Sequence, residues 1–126
     1  MTNERYDSGL AMRRSVLGDS YVDASLAAAT DFSRDMQTFV TEYCWNDVWT
    51  RPGLTPAQRS MLNLGMLTAL NRGTEFKAHV RGALTNGVTR DEIKEILLQT
   101  AVYCGAPAAL EGFRLAGEVF AERDAA

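Results

Sequence analysis

The chain has few of the residues that build metal, redox or disulfide sites. Its 126 residues include one histidine, two cysteines and three prolines. A single imidazole leaves no basis for a His-rich zinc site, so we expect no metal. Cys44 and Cys104 lie far apart in sequence and form neither a CxxC pair nor a zinc-type cluster. We therefore expect two free thiols in a reducing compartment.

The chain also lacks long apolar runs, concentrated positive charge and the common phosphate-binding or nucleophile motifs. No stretch is long enough to span a bilayer, and the N-terminus carries no apolar run like that of a signal peptide. The net charge is -3 with acidic and basic residues interspersed, which leaves no basic face for a nucleic acid. No GxGxxG, GxxxxGK(S/T) or GxSxG motif occurs. We expect a cytoplasmic protein that binds neither membrane nor nucleic acid.

The sequence does contain enough apolar material for one core. Hydrophobic residues make up 46% of the chain, which is typical of globular proteins. A chain of this length can fold without metals or disulfides. No linker, low-complexity tract or internal repeat divides it. We therefore expect a single domain over residues 1–126.

Helix signals are dense, whereas the alternating pattern of strands and hairpins is missing. Thr55 with Gln58 and Thr89 with Glu92 form capping boxes, and Gly87 is well placed as a left-handed C-terminal cap. The predicted fold class is all-α, a bundle of about six helices. The helices are predicted over about Ser8–Leu17 (ending at Gly18), Asp23–Asp47, Thr55–Leu70, Thr74–Asn86, from Thr89 to the YCGAP segment, and from Pro107 through Val119.

The histidine, His79, is the first candidate for catalysis. Phe76, His79, Val80 and Ala83 follow helical spacing, so His79 shares an inward-facing stripe. Glu75 lies one turn earlier, within reach of the imidazole. A carboxylate beside an imidazole raises its pKa and orients the ring, which suits a general acid. The alternative interpretation is a structural histidine at the edge of the core, hydrogen-bonded to Glu75.

Two arginines and two aromatic residues near predicted helix breaks are candidates for substrate binding. Arg51 and Arg59 flank the start of the third helix, and either could hold a carboxylate with two hydrogen bonds. Trp49 and Tyr103 could wall a pocket. Gln99 shares a face with Tyr103 and could add polarity to a pocket or to an interface. The alternative is that the arginines are surface residues and that the aromatic residues pack the core or a subunit contact.

The motifs together resemble the 4-carboxymuconolactone decarboxylase family, within the superfamily that has the alkylhydroperoxidase-like helical fold. The segments "WTRPGL", "GVTRDEIKE" and "YCGAP" in this order and spacing carry the resemblance, and the opening "RYDSGLAMRRSVLGDSYVD" is similar to the start of the same enzymes. In the peroxide-reducing members of the superfamily, a CxxC pair stands where this chain has Arg72 and Glu75. Both redox cysteines are absent, which argues against thiol peroxidase activity.

The resemblance implies an activity, a site and an assembly. The activity is the decarboxylation of 4-carboxymuconolactone to the 3-oxoadipate enol-lactone, in the protocatechuate branch of the β-ketoadipate pathway. The substrate contains its own electron sink, so no cofactor is expected. His79 and Glu75 are implied as catalytic residues, and Arg51 as a ligand of a substrate carboxylate. Our hypothesis for the mechanism is that His79, as an imidazolium held by Glu75, stabilises the oxyanion or protonates the ring carbon. The implied assembly is a homohexamer, a trimer of dimers with active sites near subunit contacts.

Two other functions remain open from the sequence. The first is a non-catalytic helical oligomer or a small-ligand binding protein of the same superfamily. The second is an isomerase or hydrolase that acts on a related lactone. Release of CO2 from freshly made lactone would separate the decarboxylase from both of these functions.

Overall fold

The computed structural model describes residues 3–126, a stretch that contains seven α-helices and no strand. The all-α prediction is confirmed, although the helices number seven rather than about six. None of the helices within this stretch is long and apolar enough to cross a membrane. The helices are α1 (Glu4–Leu17), α2 (Asp19–Ala27), α3 (Arg34–Phe39, continued by a π-helical segment over Val40–Val48), α4 (Pro56–Ala69), α5 (Gly73–Thr85), α6 (Arg90–Cys104) and α7 (Ala106–Ala125).

The chain forms two compact units, which are described separately. The first unit ends at Pro56 and contains α1 to α3 with the π-helical segment. The second unit spans Ala57–Ala126 and holds nearly all of α4 and the whole of α5 to α7. The single domain over residues 1–126 stays a prediction.

The helix predicted over Asp23–Asp47 is wrong, because the chain leaves the helix after Ala27 and re-enters it at Arg34. Two hydroxyl side chains explain the break. The Thr30 amide donates to Ser33 Oγ at 2.9 Å, and the Ser33 amide donates to Thr30 Oγ1 at 3.3 Å. Such local bonds offer the backbone an alternative to the helical ladder. The apolar spacing that predicts one long helix carries no information about this competition.

The other predicted helix ends agree with the structure to within a few residues. Gly18 and Gly87 take positive φ values of 87° and 91° just beyond α1 and α5. The Thr89 hydroxyl accepts from the Glu92 amide at 3.0 Å, and the Glu92 carboxylate accepts from the Thr89 amide at 2.9 Å. This reciprocal pair is the predicted capping box of α6. At α1 the helix begins earlier than predicted, because Asn3 caps it by accepting from the Tyr6 amide at 3.1 Å.

In the first unit, α1 packs against the π-helical segment. Gly9 is buried there, and its lack of a side chain permits close approach of the Thr41 carbonyl. Further along α1, Val16 packs with Trp45 and Trp49, whose stacked rings have centroids 4.8 Å apart. The contact of the two segments therefore depends on a glycine at one point and on two indole rings at another.

An ion-pair network joins the same two segments. The Arg5 guanidinium donates to Glu42 at 2.7 Å and to both oxygens of Asp47. These bonds hold the pKa of Asp47 below its usual range, chiefly through the hydrogen bond from Arg5. Because the pairs are partly exposed, each contributes little to stability by itself.

In the second unit, the apolar core lies between the four helices and the turn after α5. Ion pairs from Lys77 to Glu118 at 3.4 Å and from Arg81 to Glu122 at 3.0 Å line up along the contact of α5 with α7. The core fixes α5, which carries the candidate histidine, against its neighbours. The buried residues of this core are Leu64, Phe76, Val80, Ala83, Val88, Ile93, Leu97, Leu115, Ala116 and Val119.

The close approach at Gly9 leads to a stability prediction. A Cβ atom built on Gly9 would lie 2.0 Å from the Thr41 carbonyl oxygen, which is backbone and can move only with its helix. We expect Gly9→Ala to lower the free energy of unfolding by roughly 1–3 kcal/mol or more, the usual cost of overpacking. The measurement is urea unfolding followed by circular dichroism.

Gly117→Ala is the matched control, because Gly117 is exposed in α7 and a Cβ there would meet nothing within 4 Å. The added methyl group should stabilise the helix by about 0.5–1 kcal/mol, the difference in helix propensity between the two residues. Equal effects of the two substitutions would contradict the packing of α1 against the π-helical segment.

Candidate active site

His79 lies at the edge of the buried stripe of α5. Phe76, Val80 and Ala83 are buried in the core of the second unit, as their spacing predicts. The His79 side chain is only partly buried. The ring therefore lies at the boundary between the core and the surface of the second unit.

Asn63 on α4 contacts the His79 ring directly. Asn63 Nδ2 lies 3.5 Å from His79 Nδ1. Sequence reasoning missed this residue, because the two positions are 16 residues apart and belong to different helices. The short NRG turn between α4 and α5 was the available signal, since a short connection makes two helices antiparallel neighbours.

Glu75 acts on the ring through its charge. Its side chain is exposed in the first turn of α5, and its negative charge raises the pKa of His79. Loss of solvent around the ring acts in the opposite direction and is the larger effect. The pKa of His79 falls from 6.5 to about 4. The imidazole is therefore neutral at pH 7, which differs from the imidazolium that the sequence analysis expects.

Arg59 shares the face of α4 that reaches His79. It precedes Asn63 by four residues, so the two side chains leave the helix on the same side. The Arg59 side chain is partly buried near the start of the helix. In the same way, Glu75 and His79 share one face of α5. Arg59 thus lies one turn before Asn63 on α4, Glu75 lies one turn before His79 on α5, and Asn63 and His79 are in contact.

A groove of about 450 Å³ lies between α4 and α6. It brings together Gln99 and Tyr103, the pair that the sequence places on one face, and adds Cys104. Tyr103 is 82% exposed at the end of α6. The groove is lined by Met61, Leu62, Gly65, Met66, Ala69, Ile96, Gln99, Thr100, Tyr103 and Cys104, and His79 is not among these residues. A role of Tyr103 in substrate binding stays a prediction.

The remaining two candidates lie in the first unit. Trp49 is 7% exposed and belongs to the hydrophobic cluster with Trp45 and Val16. Arg51 is exposed in the turn that follows, where its amide donates to the Val48 carbonyl at 3.0 Å. Contacts of Trp49 and Arg51 with a substrate stay predictions.

The cysteines and acidic residues form no clustered site within residues 3–126. Cys44 and Cys104 are both free and exposed. Across the same residues, no group of three or more histidine, cysteine or acidic side chains has an arrangement that could hold a metal ion.

Comparison with known proteins places the chain in a family. The model of the carboxymuconolactone decarboxylase family matches residues 34–118. The chain is 42% identical over 117 residues to the 4-carboxymuconolactone decarboxylase of Acinetobacter baylyi, covering 93% of this chain and 87% of that protein. The chain belongs to the carboxymuconolactone decarboxylase family. The resemblance found in the sequence motifs is therefore confirmed.

Two other known proteins are also similar to the chain. A nitrosuccinic acid decarboxylase of Metarhizium robertsii is 46% identical over 106 residues, covering 84% of this chain and 74% of that protein. A 4-carboxymuconolactone decarboxylase of Pseudomonas putida is 41% identical over 44 residues, covering 35% of this chain and 92% of that protein. The names of these relatives mention two different substrates, and each name describes a decarboxylase.

The lowered pKa of His79 leads to a pH prediction. Because the folded pKa of about 4 lies below the ordinary 6.5, protonation favours the unfolded chain. The stability from the neutral ring is fully present above pH 6.5 and is lost as the pH falls towards 4. We expect the difference in unfolding free energy between the wild type and His79→Gln to decrease over that interval and to level off below it.

Urea unfolding at a series of pH values measures this difference. Because both chains contain the same acidic residues, the contributions of these residues cancel in the subtraction. The ring itself can be titrated by NMR without assignment, because the chain has one histidine. A midpoint at or above 6.5 would show that Glu75 outweighs burial.

Proposed function

We propose that this protein catalyses a cofactor-free decarboxylation, with 4-carboxymuconolactone as the substrate and the 3-oxoadipate enol-lactone as the product. The observation that carries the proposal is the 42% identity to the Acinetobacter baylyi 4-carboxymuconolactone decarboxylase over 93% of the chain. The position of the reaction in protocatechuate breakdown, the cytoplasmic location and the alkylhydroperoxidase-like topology are parts of the same proposal.

The substrate supplies the electron sink of the reaction. The γ-carbon of the lactone bears a carboxylate, and loss of CO2 leaves an electron pair on that carbon. The conjugated double bond passes the pair to the lactone carbonyl, which gives a 2-oxyfuran-like anion. One proton then adds to the ring carbon next to the carbonyl. The protein has to bind the carboxylates and stabilise the developing oxyanion.

The neutral charge state of His79 suits the second task. A neutral imidazole is a poor acid. Its N–H group can therefore donate a hydrogen bond to an oxyanion without giving up the proton. We assign this role to His79. We assign the binding of a substrate carboxylate to Arg59, which lies on the same face of α4 as the residue that contacts His79. Arg51 stays a sequence-based candidate for the same role. Glu75 tunes the pKa of the ring.

Nitrosuccinate is the second candidate substrate, because the 46% identity to the nitrosuccinic acid decarboxylase favours it. A nitro group on the carbon that bears the carboxylate accepts the electron pair and gives a nitronate. An N–H donor serves a nitro oxygen and a carbonyl oxygen equally well. Both substrates also retain another carboxylate after loss of CO2, so the same arginine could hold either of them.

The activity assay compares the two substrates directly. Freshly prepared 4-carboxymuconolactone should release CO2 with a higher kcat/KM than nitrosuccinate, and chelator should not reduce the rate. His79→Ala should lower kcat by roughly 10²–10³-fold, the usual effect of removing one oxyanion donor. Glu75→Gln should cost less, because it changes the pKa of the ring but leaves its N–H in place. The double variant should resemble His79→Ala.

A structural role for His79 gives a different result. His79→Ala would then retain near wild-type turnover while its melting temperature falls, so both quantities are measured for every variant. Failure of the wild type to release CO2 from either substrate would favour a binding protein, or an isomerase or hydrolase of a related lactone.

The homo-oligomer is also part of the proposal, and a hexamer built as a trimer of dimers is its expected form. Leu62 and Met66 on α4 and Leu70 directly after it recur every four residues and are 46–66% exposed. Val102 and Leu110 in the same unit are 80% and 68% exposed. Apolar rows of this extent usually mark contacts with another chain. In an oligomer with closed symmetry, another chain would cover these residues in every subunit, and none would be left uncovered at an open end.

Light scattering at micromolar concentration tests the assembly. We expect a mass above that of a dimer. Leu62→Lys should lower this mass, because a charge in an apolar contact loses its solvent. Thr85→Lys is the control, since Thr85 is exposed at the end of α5 and outside these rows. A monomeric wild type would refute the proposal.

A further inference from the structure

One arginine of the first unit is buried without an acidic partner in the described part of the chain. Arg13 on α1 is 6% exposed. Within the same unit, Arg5, Arg14 and Arg34 each lie within 2.7 Å of an acidic side chain. Arg13 instead makes a hydrogen bond to a neutral group, from Nη1 to Thr41 Oγ1 at 3.3 Å. Arginine is rarely buried to this extent unless it is paired.

The edge of the Arg13 guanidinium that best fits a carboxylate is the edge that Thr41 does not occupy. A guanidinium can hold a carboxylate with two parallel hydrogen bonds, from Nε and Nη2. Arg5 holds Asp47 in this way, with Nε 2.9 Å from Oδ1 and Nη2 bonded to Oδ2. In Arg13 the contact with Thr41 uses Nη1, and the buried Nε has no hydrogen-bond partner among residues 3–126.

The positive charge of Arg13 also lacks a counter-charge within those residues. Burial lowers the pKa of Arg13, and the groups that raise this pKa are Tyr21, Tyr6 and Cys44, none of which is a carboxylate. A guanidinium nevertheless stays protonated in proteins. A buried charge without a partner is unfavourable, and an anion that pairs with it would remove this cost.

A second polar atom close to Thr41 in sequence is also unsatisfied. The Thr41 hydroxyl donates to the Gln37 carbonyl oxygen at 2.7 Å, one turn earlier. The Gln37 side chain has a buried Oε1 atom without a hydrogen-bond partner in the described residues. Two residues that are linked by the Thr41 hydroxyl thus each retain hydrogen-bonding capacity that a ligand could satisfy.

We propose that Arg13 is a carboxylate-binding residue, whose Nε–Nη2 edge holds a carboxylate group that residues 3–126 of the same chain do not supply. Thr41 keeps the guanidinium in place through Nη1. The carboxylate could belong to a small free acid or to an acidic side chain of another copy of the chain. Both present the same group to Arg13, and the experiment distinguishes them. The inference does not depend on the role of His79 or on the proposed decarboxylation.

Thermal unfolding with succinate tests a free carboxylate, with succinamide as the neutral control and sodium chloride at equal ionic strength. At a succinate concentration of about ten times Kd, the wild-type Tm should rise by roughly 3–6 °C and then saturate. Arg13→Met should show no rise. Arg13→Lys replaces the two-bond edge with a single point of contact, so its rise should be less than half that of the wild type.

Arg14→Met is the matched control, because Arg14 is the next residue on α1 and is paired with Asp19 and Asp23. It should keep the wild-type response to succinate. A rise in Arg13→Met or Arg13→Lys as large as that of the wild type would place the binding elsewhere and overturn the proposal. An equal loss of the response in Arg13→Met and Arg14→Met would overturn it too, in favour of general destabilisation.

Light scattering during dilution tests the other source. If another copy supplies the carboxylate, the site is already filled and succinate has no effect on the wild-type Tm. The oligomer should then dissociate at a higher protein concentration in Arg13→Lys than in the wild type, whereas Arg14→Met should behave like the wild type. Without a succinate response, unchanged dissociation of Arg13→Lys would overturn the proposal. Neither measurement uses turnover, so failure of the proposed decarboxylation would leave both results valid.

Discussion

Burial of the His79 ring against the core of the second unit is the constraint on which the candidate site depends. Removal of solvent disfavours the charged imidazole more than Glu75 favours it, and the pKa falls to about 4. A neutral ring has two tautomers instead of one fully protonated state. Which group donates and which accepts in the contact with Asn63 therefore depends on the tautomer of the ring. In an imidazolium both ring nitrogens would donate.

Local sequence signals predict the helix ends well, because a cap or a positive φ depends on a few adjacent residues. The capping box at Thr89 and the glycine after α5 are examples. The break between α2 and α3 escaped prediction because Thr30 and Ser33 compete with the helix through their hydroxyls. The π-helical segment also escaped prediction, because the apolar spacing of its residues does not distinguish a π-helix from an α-helix.

In the candidate site, too, relations within one helix could be predicted from the sequence, whereas relations between helices could not. His79 and Glu75 could be paired from spacing alone, since both stand on one helix. Asn63 could not, because its relation to His79 exists only after α4 and α5 pack. The charge of the ring was inferred incorrectly for a related reason: the neighbouring carboxylate is visible in the sequence, whereas the extent of burial is not. The effect of Glu75 on the pKa of His79 could be inferred from the sequence, whereas the larger effect of burial could be known only from the structure.

A neutral donor also explains how one scaffold could serve two decarboxylations. An imidazolium would compete with the substrate for its proton and would match one oxyanion basicity, whereas a neutral N–H only stabilises charge that develops. Carbonyl and nitro oxygens both accept such a bond. Substrate choice would then depend on the groups that bind the remaining carboxylate and the ring, such as Arg59, and not on the reacting centre. The proton for the carbon would then have to come from a group other than His79, since a neutral imidazole is too weak an acid to supply it.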